Sequence, residues 1–567
     1  MRSVQKIKAA AAIAVLGLIA PALTCRKPAV IPLTEQARTG LEERVGPAGT
    51  GSPVYCRRDR LCGSEVLPDF YRQRRFRPAW IDDRLELGDA RAFLAALRLV
   101  DADGLDPANY HLATIASLLA EIDAAAKKGP RRVRPESLVD LEMLLTDGFL
   151  LCGSHLVHGQ VDPETIHSDW SIKGRVEDLS AVLEKGLARH DIAGALDSLR
   201  PANAVYRGLL AAYGQYRKLA ASGGWPAFPP GPKLVRNDRG ARVEALRQTL
   251  AAMGDLTGAG AAGGADLFDA PLEDAVKAFQ LRHGLDPDGV VGAETASALG
   301  VPAAERLEQI KANLERWRWI TQELGESYIL VNVAGFHVGV YQAGDEVLSM
   351  EAIVGRSYRQ TPDFSGRVST VTINPPWNVP TKLAREDILP KVRQDPDYLK
   401  KKGFRVYQSW VEGAPELDPS AIDWDGIRDD SLSFKFRQDP GPQNALGRIM
   451  FLFPNKFDVY MHDTPERWLF DRAVRDFSSG CIRVEKPVDL AVYLLRDDPD
   501  WTRDKILEAI DAGETRQIRI PKPLNIHILY WTAWLGDDGR AQFREDIYLR
   551  DAALVKALGE RAAGLVR

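Results

Sequence analysis

His462 and Cys481 stand 19 positions apart in the stretch Tyr460-Met461-His462-Asp463-Thr464-Pro465 … Arg475-Asp476-Phe477-Ser478-Ser479-Gly480-Cys481-Ile482-Arg483-Val484. Attack on an acyl carbon needs a thiolate, a base to generate it and donors for the oxyanion. This stretch holds candidates for all three. A lone cysteine reads first as a small buried hydrophobe. Here Ser-Ser-Gly precedes it and Ile-Arg-Val follows, the composition of a thiol at a loop-to-strand junction. The chain has nine histidines, and His462 is the one that closes an apolar strand, Asp458 to His462, with the thiol close by in sequence. That makes His462 the candidate base. A third group should orient its imidazole, and Asp463 is adjacent. Backbone N–H groups of Ser479, Gly480 and Cys481 are candidate oxyanion donors, with Gly480 permitting close approach. Tyr460 is an alternative hydroxyl donor or a packing residue. Arg483 alternates with Ile482 and Val484 and so points away from them. It could lower the thiol pKa, bind substrate or form a structural ion pair. Arg475 has the same binding and ion-pair readings.

Period-two segments must carry this site. Tyr328–Val333, Phe336–Tyr341, Val347–Val354, Val368–Asn374, Ile449–Phe453, Val459–His462, Gln517–Ile520, Ile526–Trp534 and Ala541–Ile547 read as strands, so a mostly β domain is expected over 325–550. Inside it, 380–447 changes character, with a helical Lys382–Leu399 and scattered Trp410 and Trp424. An excursion of this length reads as a lid or a contact surface. Just before it, Trp377 and Asn378 are candidates to line a substrate groove, and Trp377 also reads as core.

Upstream the period is helical. Residues 66–225 hold helices over Ala90–Val100, Leu138–Val157, Val176–Ala188 and Asn203–Ala221. His155 and His158 lie three apart on one of them, where a structural role outweighs metal binding. Residues 232–302 form a compact helical unit with an Asp288-Gly289 turn and a Gly/Ala-rich insertion over Asp255–Asp269. Arg306–Leu324 reads as a helix, and 551–567 as a C-terminal helix or tail. The fold class is therefore multidomain α+β. Residues 25–65, rich in Pro, Gly and Arg, read as a linker or disordered tail. Within it, Cys56 and Cys62 either close a small disulfide loop or stay unpaired.

At 567 residues, three or four domains are expected. A net charge of −4 gives no support to a nucleic-acid partner, and no motif points to a metal or other cofactor. Arg2, Lys6 and Lys8 precede an apolar run, Ala9–Ala20, and a small-residue site. Residues 1–24 read as an export signal. An uncleaved anchor, or lipid on Cys25, would tether the chain to an inner or outer membrane.

The active stretch resembles the L,D-transpeptidases of the YkuD fold. The resemblance rests on His462-Asp463-Thr464-Pro465, Leu469-Phe470, Arg475 and Ser478-Ser479-Gly480-Cys481-Ile482-Arg483-Val484. Many members carry His where Ser479 stands, and the large periplasmic YcbB-type subgroup is similar to this chain at that position. Phe70-Tyr71-Arg72 … Phe76-Arg77-Pro78-Ala79-Trp80 resembles the start of that subgroup's helical scaffold, and Ala541–Tyr548 its closing strand. Phe279-Gln280, Gly284-Leu285 and Asp288-Gly289 … Gly292 … Thr295 resemble the core of the three-helix peptidoglycan-binding domain. The resemblance implies a bacterial, exported, periplasmic enzyme that acts on peptidoglycan stem peptides and glycan strands. It implies a capping subdomain over 380–447, an acyl-enzyme on Cys481, release of D-Ala from a stem tetrapeptide and a 3→3 cross-link. It also implies that the partner of His462 is a backbone carbonyl. With such a substrate, the binding reading of Arg483 is a stem carboxylate, beside the lowered thiol pKa and the ion pair. Two other classes remain: an exported cysteine peptidase or L,D-carboxypeptidase on the same dyad, and a non-catalytic wall-binding protein.

Overall fold

A computed structural model describes residues 31–560 except 48–53, 58, 64–65, 168, 259–263, 322 and 429–431. Residues 1–24, expected to be an export signal, and Cys25 lie outside the described residues. No helix among the described residues is long and apolar enough to cross a membrane.

The helical region is built around Pro135–His158, a helix whose residues from Ser137 to Val157 are all buried. Burying a polar group without a partner is costly, and the buried acids of this helix are paired with the chain that wraps it. Glu142 accepts from the Trp80 amide and the Tyr71 hydroxyl. Asp147 accepts from the Gly63 amide at 2.5 Å. Asp140 holds Arg44 and Arg57 at 2.6 and 2.7 Å. His155 meets the Tyr110 hydroxyl through Nδ1 at 2.9 Å, a structural contact. Among the described residues, no group of three or more His, Cys, Asp or Glu is placed to hold a metal ion.

Three expectations change here. Residues 25–65 are not simply a linker, because Leu33–Val45 is a helix that buries Ala37, Leu41 and Val45 against the central helix. Those three lie four apart, but the charged residues between them hide the stripe in the sequence. Cys56 is a free, buried thiol beside Asp140, so the Cys56–Cys62 loop is not closed. The helix expected from Val176 begins at Leu179, where the Asp178 carboxylate caps the Ala181 amide.

The second unit has helices Ala241–Ala252, Ala270–Arg282 and Ala293–Gly300. Gln280 ties it together: its amide donates to Asp288, Val290 and Thr295, and its oxygen accepts from the Gly289 amide. The described part of the insertion has a docking role. Asp255 is buried and pairs with Arg282 and, at 2.7 Å, with Arg540 of the hairpin Ala533–Leu535/Ala541–Phe543.

Helix Ala303–Arg318 joins these parts. Arg318, fully buried, pairs with Glu315 at 3.1 Å and meets the Tyr206 hydroxyl of the scaffold. Trp317 stacks on Trp531 with centroids 4.3 Å apart. Trp317→Ala would remove that contact and open a cavity. It is expected to cost about 3–5 kcal/mol and lower the melting temperature in calorimetry; an unchanged melt would show that this joint contributes little.

The β-rich part of the chain is a closed barrel. Its strands are β1 Ser327–Asn332, β2 His337–Gln342, β3 Asp345–Ile353, β4 Phe364–Ile373, β5 Ile449–Leu452, β6 Met461–His462, β7 Ile482–Val484 and β8 Arg516–Leu529. The order around the barrel is β5-β6-β7-β3-β2-β1-β8-β4. The separate strands expected at Gln517–Ile520 and from Ile526 are one strand, with a register shift between Arg519 and Leu524. Pro521 and Pro523 sit in that shift and cannot donate to the ladder. Two helices that the mostly β expectation lacks, Pro487–Leu494 and Arg503–Asp511, pack Leu490, Leu494 and Ile506 on the barrel.

Between β4 and β5 lies the cap. Trp377–Asn378, Lys435–Gln438, Phe404–Tyr407 and Glu416–Leu417 form a four-stranded sheet in that order. It packs on helices within Thr381–Lys401, and Val379, Leu389, Val406 and Phe436 form a separate small core. The sheet includes Trp377 and Asn378, so the cap begins before residue 380.

Candidate active site

β6 and β7 run parallel, with Met461 opposite Ile482 and His462 opposite Arg483. Met461, Ile482 and Val484 are fully buried in the barrel. Side chains alternate along a strand, so Tyr460, His462, Cys481 and Arg483 share the outer face. The barrel register thus joins the two residues that sequence separates by a long loop.

Nδ1 of His462 lies 2.6 Å from the Asp463 carbonyl. A carbonyl only accepts, so Nδ1 carries the proton and the basic lone pair is on Nε2. The Leu446 carbonyl, at the exit of the cap, also faces the ring. Burial first, then the charge of Arg483, pushes the imidazole pKa down to about 3. The Asp463 side chain is engaged elsewhere, accepting from the Arg448 amide at 2.9 Å and pairing with Arg467.

Cys481 is partly exposed, with Sγ 3.9 Å from the Asp458 carbonyl. Burial pushes its thiol up to about 11, against the pull of the Tyr460 amide and hydroxyl and of Arg483. The rings of Tyr460 and His462 are 5.7 Å apart, and Trp377 reaches the Tyr460 hydroxyl from the cap. At neutral pH the thiol and imidazole are therefore both uncharged, and the thiolate must be made by proton transfer during attack. Only thiolate reacts with an alkylating agent. Alkylation of the free protein is thus expected to rise about tenfold per pH unit from pH 6 to 10. A plateau near neutrality in the iodoacetamide rate, read by intact mass, would contradict this.

The loop before Cys481 is braced from far along the chain. Gly480 has φ +112°, a region closed to most side chains. Its carbonyl accepts from Thr361 Oγ1 at 2.9 Å. The Tyr548 hydroxyl donates to the Gly355 carbonyl at 2.5 Å and accepts from the Thr361 amide. The Gly480 amide, expected as an oxyanion donor, already donates to Ser478 Oγ at 3.1 Å, which leaves the amides of Ser479 and Cys481. Ser479 Oγ accepts from Arg359, whose guanidinium also holds Glu386 and Asp387 of the cap at 2.5 and 2.6 Å. Nothing in the sequence alone singles out Arg359, Thr361 or Tyr548.

Two candidate binding residues fall outside the site. Arg475 is buried behind it, bonded to the Ala352 and Phe336 carbonyls and to Glu351, with Phe336 beneath its guanidinium. It is a structural cation. Asn378 is exposed, and alternation points it away from the Trp377 side chain that meets Tyr460.

Residues 326–504 match the family model of the L,D-transpeptidase catalytic domain, YkuD. The chain carries a YkuD L,D-transpeptidase catalytic domain. Ahead of it, residues 65–212 match the family model described as a scaffold domain, and residues 239–299 the one described as a putative peptidoglycan binding domain. A Haemophilus influenzae protein provisionally named an L,D-transpeptidase is 36% identical over 220 residues, covering 39% of this chain and 44% of that one. The chain thus spans less than half the length of that curated relative. L,D-transpeptidase structures from Xylanimonas cellulosilytica and Stackebrandtia nassauensis align at 15% and 10% identity, over 53% and 54% of this chain and 99% and 96% of theirs. Their TM-scores are 0.16 and 0.20, and at those values neither bears on the fold or the site.

Proposed function

We propose that this protein is an exported, periplasmic cysteine L,D-transpeptidase that forms 3→3 peptidoglycan cross-links. The observation that carries the reading is the shared outer face of β6 and β7, where a partly exposed thiol sits with an imidazole whose basic lone pair is on Nε2. Cys481 Sγ attacks the carbonyl at the L-centre of the diamino acid in a stem tetrapeptide, and His462 takes the thiol proton. The C–N bond breaks, the proton passes to the leaving nitrogen, and D-Ala departs from a thioester. An amine from a second stem then attacks that thioester. The Cys481 amide and Tyr460 hydroxyl stabilise the oxyanion, Gly480 and Ser479 shape the loop, and the Asp463 carbonyl orients His462. Trp377 and Arg483 contact substrate. Water in place of the amine would make the same site an L,D-carboxypeptidase.

The test is incubation with disaccharide-tetrapeptide and mass spectrometry of the products. D-Ala release with 3→3 dimers supports the proposal. D-Ala release without dimers would favour the carboxypeptidase, and binding to sacculi without turnover would leave a wall-binding protein.

A further inference from the structure

One strong donor on the active face is uncommitted. Arg483 gives Nη1 to Glu466 Oε2 at 2.7 Å and to Thr464 Oγ1 at 3.4 Å. Its Nε is buried and meets no acceptor among the described residues. A buried guanidinium N–H without a partner is costly and calls for an explanation. Both protein partners sit on Nη1, which leaves the Nε–Nη2 edge, the side-on fork that matches a carboxylate. That edge stands where the chemistry happens. Arg483 is the cross-strand partner of His462 and lies two residues past Cys481 on the same face.

We propose that the Nε–Nη2 edge of Arg483 binds the α-carboxylate of the amino acid on the amine side of the bond being broken or made. The ligand class is a D-configured α-amino carboxylate. This rests on the transpeptidase reading above, in which such a group appears twice: D-Ala leaves in the first half-reaction, and the acceptor amine arrives in the second. In both cases a carboxylate is one carbon from the reacting nitrogen. The two half-reactions pass through equivalent tetrahedral states, so the leaving and arriving nitrogens occupy one position. A forked contact to the neighbouring carboxylate would fix that nitrogen between Sγ and His462 Nε2.

The proton balance follows. In acylation the thiol proton goes to His462 and on to the departing nitrogen as S–C forms and C–N breaks. In aminolysis the arriving amine gives a proton to His462 as N–C forms and S–C breaks, and the released thiolate takes it back. Glu466, about half exposed on its side chain, holds Nη1 and so sets the direction of the Nε–Nη2 edge.

The experiment uses the full chain with a tetrapeptide donor and two acceptors, a free D-amino acid and its α-carboxamide. The wild type is expected to use the acid at least tenfold more efficiently than the amide, by kcat/KM from product mass. A donor ending in D-alaninamide is expected to form the thioester at least tenfold more slowly than the free acid. Arg483→Gln should bring both ratios close to one, and Arg483→Lys should restore part of them. Equal use of acid and amide by the wild type overturns the proposal without any variant. Ratios that persist in Arg483→Gln overturn it as well. A wild type that forms no thioester with either donor, read as an unshifted intact mass, overturns the transpeptidase reading and this proposal together.

Discussion

Cys481→Ala is expected to lower cross-linking by at least about a thousandfold. Two other thiols are closed to the role: Cys56 and Cys152 are buried in the helical region with pKa values pushed up to about 12, burial being the first cause of both. Cys481 itself is partly exposed and contributes little packing, so the variant should fold and melt like the parent. It should also fail to acquire the mass of a stem-peptide thioester. A variant that kept D-Ala release would remove the thiol from the mechanism.

His462→Ala is expected to lower the rate by about a hundredfold to ten thousandfold. The pH dependence separates a lost base from a lost fold. With its pKa near 3, the imidazole is a neutral base throughout the physiological range. Without it the thiol must ionise unaided, with a pKa near 11. The activity of the variant should therefore climb about tenfold per pH unit through the alkaline range, while the wild type stays nearly flat above pH 5. Because thiol and base act as one unit, the double variant should be no worse than Cys481→Ala alone. A His462→Ala enzyme with wild-type pH behaviour would dismiss His462 as the base.

The part of the site that sequence discloses is the part that is local. His462 closes an apolar strand on the face of Tyr460, and Cys481 opens one on the face of Arg483, so alternation discloses each pair while only the barrel register joins the two. The strand pattern also discloses most of the barrel. What sequence hides depends on long-range contacts. Arg359 meets Ser479 across 120 residues, Thr361 meets Gly480 across 119, and Tyr548 meets Gly355 across 193. No local pattern marks any of them. Arg475 misleads for the same reason, since a cation looks alike in sequence whether it faces substrate or fills the space behind β3. The Leu33–Val45 helix is hard to read because its three buried residues are sparse, and only the central helix shows what they pack on.

The bracing of the Gly480 loop sets an order of assembly. β8 pairs with both β1 and β4, so the barrel stays open until Arg516–Leu529 has been synthesised. Tyr548 comes later still, and it holds the backbone around Gly355 and Thr361 on which the Gly480 carbonyl rests. Cys481 is thus held in place only after residue 548 has been made. A chain caught before residue 548 had been made would hold Cys481 on an unfastened loop, so the thiol would gain its setting later than the strand that carries it.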